Sequence, residues 1–215
     1  MSQHTLTLLR FTYKKLKEKL TVSDSKKLFH EQFPYVIPGL YKRIVDEMIV
    51  ELNLLNHQSE FNQDYLFCYG IKETFSELTK GYVPKHHLKL LFESLCNSTN
   101  FDSSNINDIY KKSKADFKDK SLEEISNLLK EKSESNLYSS RMLNLGVYLI
   151  ISSSKDFQEM QDSKINEVIS DIFTNLNLSV EKAEKDIGIY KSSIKKLEQA
   201  KELLEEIKIK ENKNK

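Results

Sequence analysis

In the stretch YKRIVDEMIVELNLL, residues 41–55, apolar side chains return every three or four positions, and similar spacings recur along most of the chain. At about 100° per residue such spacing collects apolar groups on one side of an α-helix, whereas a strand needs strict alternation. Tyr41, Ile44, Val45, Met48, Ile49, Leu52 and Leu55 form a broad main face. Val50 and Leu54 fall on the other side, beside Arg43 and Glu47, leaving Lys42, Asp46 and Asn53 as a narrow polar strip. This layout predicts a helix sandwiched between neighbours.

Burial on both sides makes the charges within the stretch a constraint. Glu47 is placed on a half-buried face and Glu51 at the border of the main one, and an uncompensated buried carboxylate is costly. Arg43 precedes Glu47 by four residues and can pair with it along the helix. Glu51 requires a partner from another helix. Arg43, Glu47 and Glu51 are therefore read as structural ion-pair residues.

With 5 Gly and 3 Pro among 215 residues, little material remains for turn-rich β architecture. The expected class is all-α: a multi-helix bundle with a long, coiled-coil-like C-terminal helix. Lys plus Arg number 33 against 32 for Asp plus Glu, so bulk charge supplies no argument for a nucleic-acid partner. Cys68 and Cys96 lie in apolar helical contexts that suit buried thiols and a reducing compartment. The apolar run VYLIIS is far shorter than the ~20 residues of a spanning helix. The N-terminus lacks the pattern of a cleaved secretion signal.

Three segments are expected. Residues 1–20 form a basic amphipathic helix, with Leu9, Tyr13, Leu16 and Leu20 on one stripe and Arg10, Lys14, Lys15, Lys17 and Lys19 around it. Such a helix can contact an anionic membrane surface or a partner, or pack its stripe on the body. Residues 21–176 form the helical body. Within it, Ser23 or Asp24 is the expected N-cap of a helix stopped by Pro34, and Asn62 or Asp64 that of a later helix. A short helix from Asn105 or Ile106 and a capping box at Ser121 and Glu124 follow. Gly70 and Gly146 interrupt two apolar helices, and each marks either a helix crossing or a tolerated glycine.

Residues 177–215 form a helical arm. Val180, Ala183, Ile187, Tyr190, Ile194 and Leu197 alternate steps of three and four, after which the apolar positions slip to Ala200, Leu204 and Ile207. Val180, Ile187, Tyr190, Ile194 and Leu197 are candidates for a seam that either receives a partner helix or docks on the body.

Catalytic and metal chemistry find no footing. The chain has no Glu-x-x-His, no His-Glu-x-x-His and no Cys-x-x-Cys, so the ligand sets of carboxylate-bridged metal bundles and zinc sites are missing. There is no Gly-x-Ser-x-Gly elbow and no Gly-rich phosphate loop. The expectation is a non-enzymatic protein without catalytic residues, metal site or cofactor.

Four segments taken together, TVSDSKKLF (Thr21–Phe29), YKRIVDEMIVELNLL, FCYGIKETFSELTKGYVP (Phe67–Pro84) and YSSRMLNLG (Tyr138–Gly146), resemble the thylakoid formation protein family, the photosystem II biogenesis proteins of cyanobacteria and plastids. The resemblance implies a non-catalytic helical factor in photosynthetic membrane biogenesis and photosystem II assembly or repair. It also implies association with an FtsH-type thylakoid protease, peripheral placement on the cytoplasmic side of thylakoid or plasma membrane, and a coiled-coil-prone tail. Cys68 and Tyr69 depart from the family's small or aliphatic residues, YSSR carries one serine more than the usual pattern, and residues 1–20 lie outside the match. An alternative expectation is a lipid-surface-binding protein acting through the basic N-terminal helix.

Overall fold

A computed structural model describes residues 19–132 and 137–213, which form nine α-helices and one 3-10 turn and no strand among the described residues. Of the basic N-terminal segment only Lys19 and Leu20 are included. Arg10, Lys14, Lys15 and Lys17 lie outside the described residues.

Side-chain oxygens set most helix starts, because the first amides of a helix have no partner within it. Helix α1 (Val22–Gln32) begins at Thr21, not at Ser23 or Asp24. Thr21 accepts from the Asp24 amide while Asp24 accepts from the Thr21 amide, a reciprocal arrangement that needs two acceptors three residues apart. Helix α2 (Gly39–Asn56) opens directly after Pro38. Asp64 caps α3 (Tyr65–Leu78), accepting from the Phe67 amide at 2.8 Å. Helix α4 (His87–Asn97) follows the turn through Gly81, whose φ of +89° suits a residue without a Cβ.

Asp102 accepts from the amides of Ser104 and Asn105 and so starts α5 (Ser103–Phe117) earlier, and makes it longer, than the apolar pattern alone indicates. Ser121 and Glu124 form the anticipated box ahead of α6 (Leu122–Lys132). Ser140 caps α7 (Arg141–Ser152), and α8 (Asp162–Asn175) follows the 3-10 turn Phe157–Glu159. Asn177, at φ +55°, turns the chain back into α9 (Val180–Lys213), with the Leu178 amide donating to the Phe173 carbonyl at 2.9 Å.

Helices α3 and α7 make the most extensive pairing and stand between two apolar cores. On one side α1, α2 and α4 bury Phe29, Ile49, Leu52, Phe92 and Leu95. On the other, α5 to α9 bury Phe117, Leu129, Ile150, Phe173 and Ala183. Complete burial of each such aliphatic or aromatic side chain contributes about 1.5–3 kcal/mol before ordering costs.

Helix α2 is less enclosed than its sequence suggests. Its main face is buried as anticipated, with Ile49 and Leu52 fully inaccessible. The opposite side is open: Leu54 is 54% exposed and Val50 half-buried. On that side Lys42 and Arg43 pair with Asp46 and Glu47 along the helix, so no second layer is needed to cover them.

Candidate functional site

The exposed side of α2 forms one wall of an open groove of about 840 Å³. Val50, Leu54 and Leu55 supply apolar floor, and Tyr138 to Arg141, the segment entering α7, supply the facing wall. Lys26, Lys42, Arg43 and Lys182 stand with Asp46 and Glu47 along its margins. An apolar strip with charges of both signs at its edge suits a peptide segment better than a compact, uniformly charged ligand.

Arg43 and Glu47 do pair, with Arg43 Nε donating to Glu47 Oε1 at 2.8 Å. The pair is superficial: the Arg43 side chain is 86% exposed, so solvent screens the attraction and the pair contributes little to stability. Glu47 is on the solvent side of α2, not on a half-buried face, because the groove leaves that side uncovered. Lys42 and Asp46 pair in the same way at 2.9 Å.

Glu51 lies apart from that pair and takes its partner from α7. Arg141 donates from Nε to Glu51 Oε2 at 2.7 Å and from its terminal nitrogen to the same oxygen. Burial pushes the Glu51 carboxyl above its ordinary range, and Arg141 pulls against that shift while the nearby Asp186 charge adds to it. The Met142 amide also favours the charged form, although no hydrogen bond of ordinary geometry reaches the buried Oε1. Asn144 continues the cluster into α9, donating to Asp186 Oδ2 at 2.8 Å. Lys182 donates to the Ser139 carbonyl beside it. Sequence reasoning required a partner for Glu51 without finding one; Arg141 and Asn144 sit in the YSSRMLNLG segment, which carried that signal only through the family resemblance.

Gly70 and Gly146 face each other where α3 crosses α7. A Cβ on Gly70 would stand 1.8 Å from the Met142 carbonyl oxygen, and one on Gly146 would stand 2.0 Å from that of Leu66. Both obstacles are backbone, which cannot swing aside as a side chain can.

The seam candidates of the C-terminal helix are occupied by the protein itself. Ala183, Ile187 and Leu197 are buried, Val180 and Tyr190 pack at the edge of the second core, and Ile194 is half-buried. A partner helix therefore does not find that stripe open. Past Lys201, which still reaches the Lys80 carbonyl, the helix leaves the body, and Leu203, Leu204 and Ile207 are 60%, 48% and 51% exposed.

Cys68 and Cys96 are free and buried, and burial pushes both thiols up to about 12. Among the described residues no group of three or more His, Cys, Asp or Glu could hold a metal ion, and no helix is long and apolar enough to cross a membrane. Glu47 and Glu51 do not converge on an imidazole. Lys19, the described member of the basic N-terminal set, reaches the His57 carbonyl at the end of α2.

Fold and site define, among the described residues, an all-α protein with a peptide-sized groove along one helix. A profile of the thylakoid formation protein family matches residues 21–215, and the chain belongs to that family. Protein Thf1 of Prochlorococcus marinus subsp. pastoris is 70% identical over 200 residues, covering 93% of this chain and 99% of the relative. Protein Thf1 of Parasynechococcus marenigrum is 36% identical over 190 residues, covering 88% and 89%. The solved structure of Psb29 superposes with a TM-score of 0.81 at 23% identity, covering 91% of this chain and 98% of that one, a likeness of fold.

Proposed function

We propose that this protein is a non-catalytic factor in thylakoid membrane biogenesis and photosystem II assembly or repair, working through protein partners that include an FtsH-type membrane protease. The family match across residues 21–215 carries the reading. The groove along α2 supports it physically, since it offers an apolar strip of peptide dimensions with charged edges to fix register. Peripheral placement at the thylakoid, on the cytoplasmic side, accords with the family and with the lack of a spanning helix among the described residues.

Affinity capture of the full chain from photosynthetic membranes tests the proposal. The expected result is recovery of the protease complex with the wild-type chain and its loss with Leu54→Glu, an exposed groove substitution that leaves the fold intact. If membranes contain none of this protein, and the protease complex is unchanged in cells lacking it, the proposal is wrong.

A further inference from the structure

Two turns at one end of the molecule share an unusual construction. In the α1–α2 connection, Tyr35 and Val36 stand between Pro34 and Pro38; in the α3–α4 connection, Val83 stands between Tyr82 and Pro84. Val36 is 91% exposed, Val83 70% and Tyr35 46%, although adjoining residues are anchored in the core: Phe33 and Tyr82 are each 1% exposed. The turns lie side by side, with the Tyr35 ring stacked on His87 at 3.8 Å and Tyr41 against Tyr82 at 5.2 Å. Apolar side chains are thus held out in water by a rigid base.

The charge beside the second turn is mostly positive: between Glu77 and Glu93 the chain carries Lys80, Lys85 and Lys89, two histidines and no carboxylate. Lys72, Lys80, Lys85 and Lys89 line a cleft of about 470 Å³ beside the second turn, where Glu93 is the single acid. Lys201 joins them from α9, donating to the Lys80 carbonyl. The flanking acids Glu77 and Glu93 stand 3.7 and 3.9 Å from Lys80 and Lys89, exposed contacts too weak to cancel the local field.

We infer that this end, with Val36 and Val83 as apolar tips and the Lys80–Lys85–Lys89 cluster behind them, docks on an anionic lipid bilayer. Isolated valines on separate turns give a protein partner little continuous area, whereas a bilayer interface receives small apolar tips individually and draws the cations to its headgroups. Tyr35, with an apolar ring and a polar hydroxyl, suits the boundary between the two zones. The surface is distinct from the groove, which leaves the groove available to a protein while this end rests on the membrane. The inference rests on the reading that the protein works at a membrane.

The chain contains no tryptophan, so Val36→Trp and Val83→Trp, made singly in the full-length protein, each provide a sole tryptophan reporter that can be excited apart from the tyrosines. Vesicles of phosphatidylcholine mixed with phosphatidylglycerol should shift both emissions to shorter wavelength, pure phosphatidylcholine should not, and Leu54→Trp in the groove should remain unshifted. In flotation, Val36→Asp with Val83→Asp should weaken vesicle association roughly tenfold, and Lys85→Glu with Lys89→Glu should do likewise at low salt. Unshifted reporters, undiminished flotation, association lost only when residues 1–20 are removed, or reporters that respond to the isolated protease and not to lipid would each overturn the assignment. None of those results would alter the affinity-capture outcome, so failure here is distinguishable from failure of the functional proposal.

Discussion

Gly70 and Gly146 bring two backbones into contact, and the cost of filling that space can be stated. Gly70→Ala sets a Cβ against the Met142 carbonyl and should destabilise the protein by roughly 3 kcal/mol, the upper end for overpacking, measured by urea unfolding. Gly188 in α9 has nothing within 4 Å of its Cβ position, so Gly188→Ala should instead add roughly 0.5–1 kcal/mol. The sequence marks Gly70 as an interruption but offers no means of distinguishing it from a tolerated glycine, because the obstacle lies more than seventy residues away. Glu51 poses the same difficulty. Its need for a cation follows from its position on α2, while the identity of Arg141 depends on how two distant helices cross. Arg141→Met should cost about 3 kcal/mol, since it strands a carboxylate whose side chain is only 13% exposed. Because burial raises the folded-state pKa of Glu51, the folded protein holds that proton more tightly than the unfolded chain. Its contribution therefore favours the fold most at acidic pH and declines as pH rises through the folded pKa, more steeply in Arg141→Met. Unfolding free energies measured across a pH series for both proteins check the sign.

Among the elements, α2 and α9 show where periodicity informs and where it stops. Spacing identifies the buried face of α2 correctly, yet it treats Val50 and Leu54 as inward residues because an apolar side chain beside a groove reads like one beside a helix. In α9 the spacing of the seam positions suits either a partner helix or the body, since both bury the same stripe. Tertiary packing assigns them to the body: Ile187 is 5% exposed and Ile207 51%. Ile187→Ala should cost about 2–4 kcal/mol, and Ile207→Ala less than about 0.5 kcal/mol, as read by thermal or urea unfolding. A chain ending near Leu178 would strip Ala183 and Ile187 from the second core and should lose cooperative unfolding. One ending after Lys201 should keep it, and so is the proper variant for asking whether the exposed tip contributes to partner capture.

Across the whole molecule the two cores are joined by the helices they share, since α3 and α7 contribute side chains to both. Loosening either core disturbs the same crossing, and one cooperative transition is expected, with near-UV and far-UV dichroism superimposing through denaturation. Alkylation of Cys68 and Cys96 should track that transition, since both thiols are buried and held above their usual range. The all-helical class was legible from the spacing of apolar residues and the shortage of glycine and proline; the arrangement of two cores was not, because local periodicity carries no information on which faces meet. Helix α9 belongs to both the interior and the outside. Its 34 residues make an unbroken rod about 51 Å long, sunk in the second core at one end and standing free at the other. Whatever grips the free end holds the handle of a lever whose fulcrum lies at Leu197 and Lys201, so a pull there meets the first core before it reaches Ala183 and Ile187 in the second.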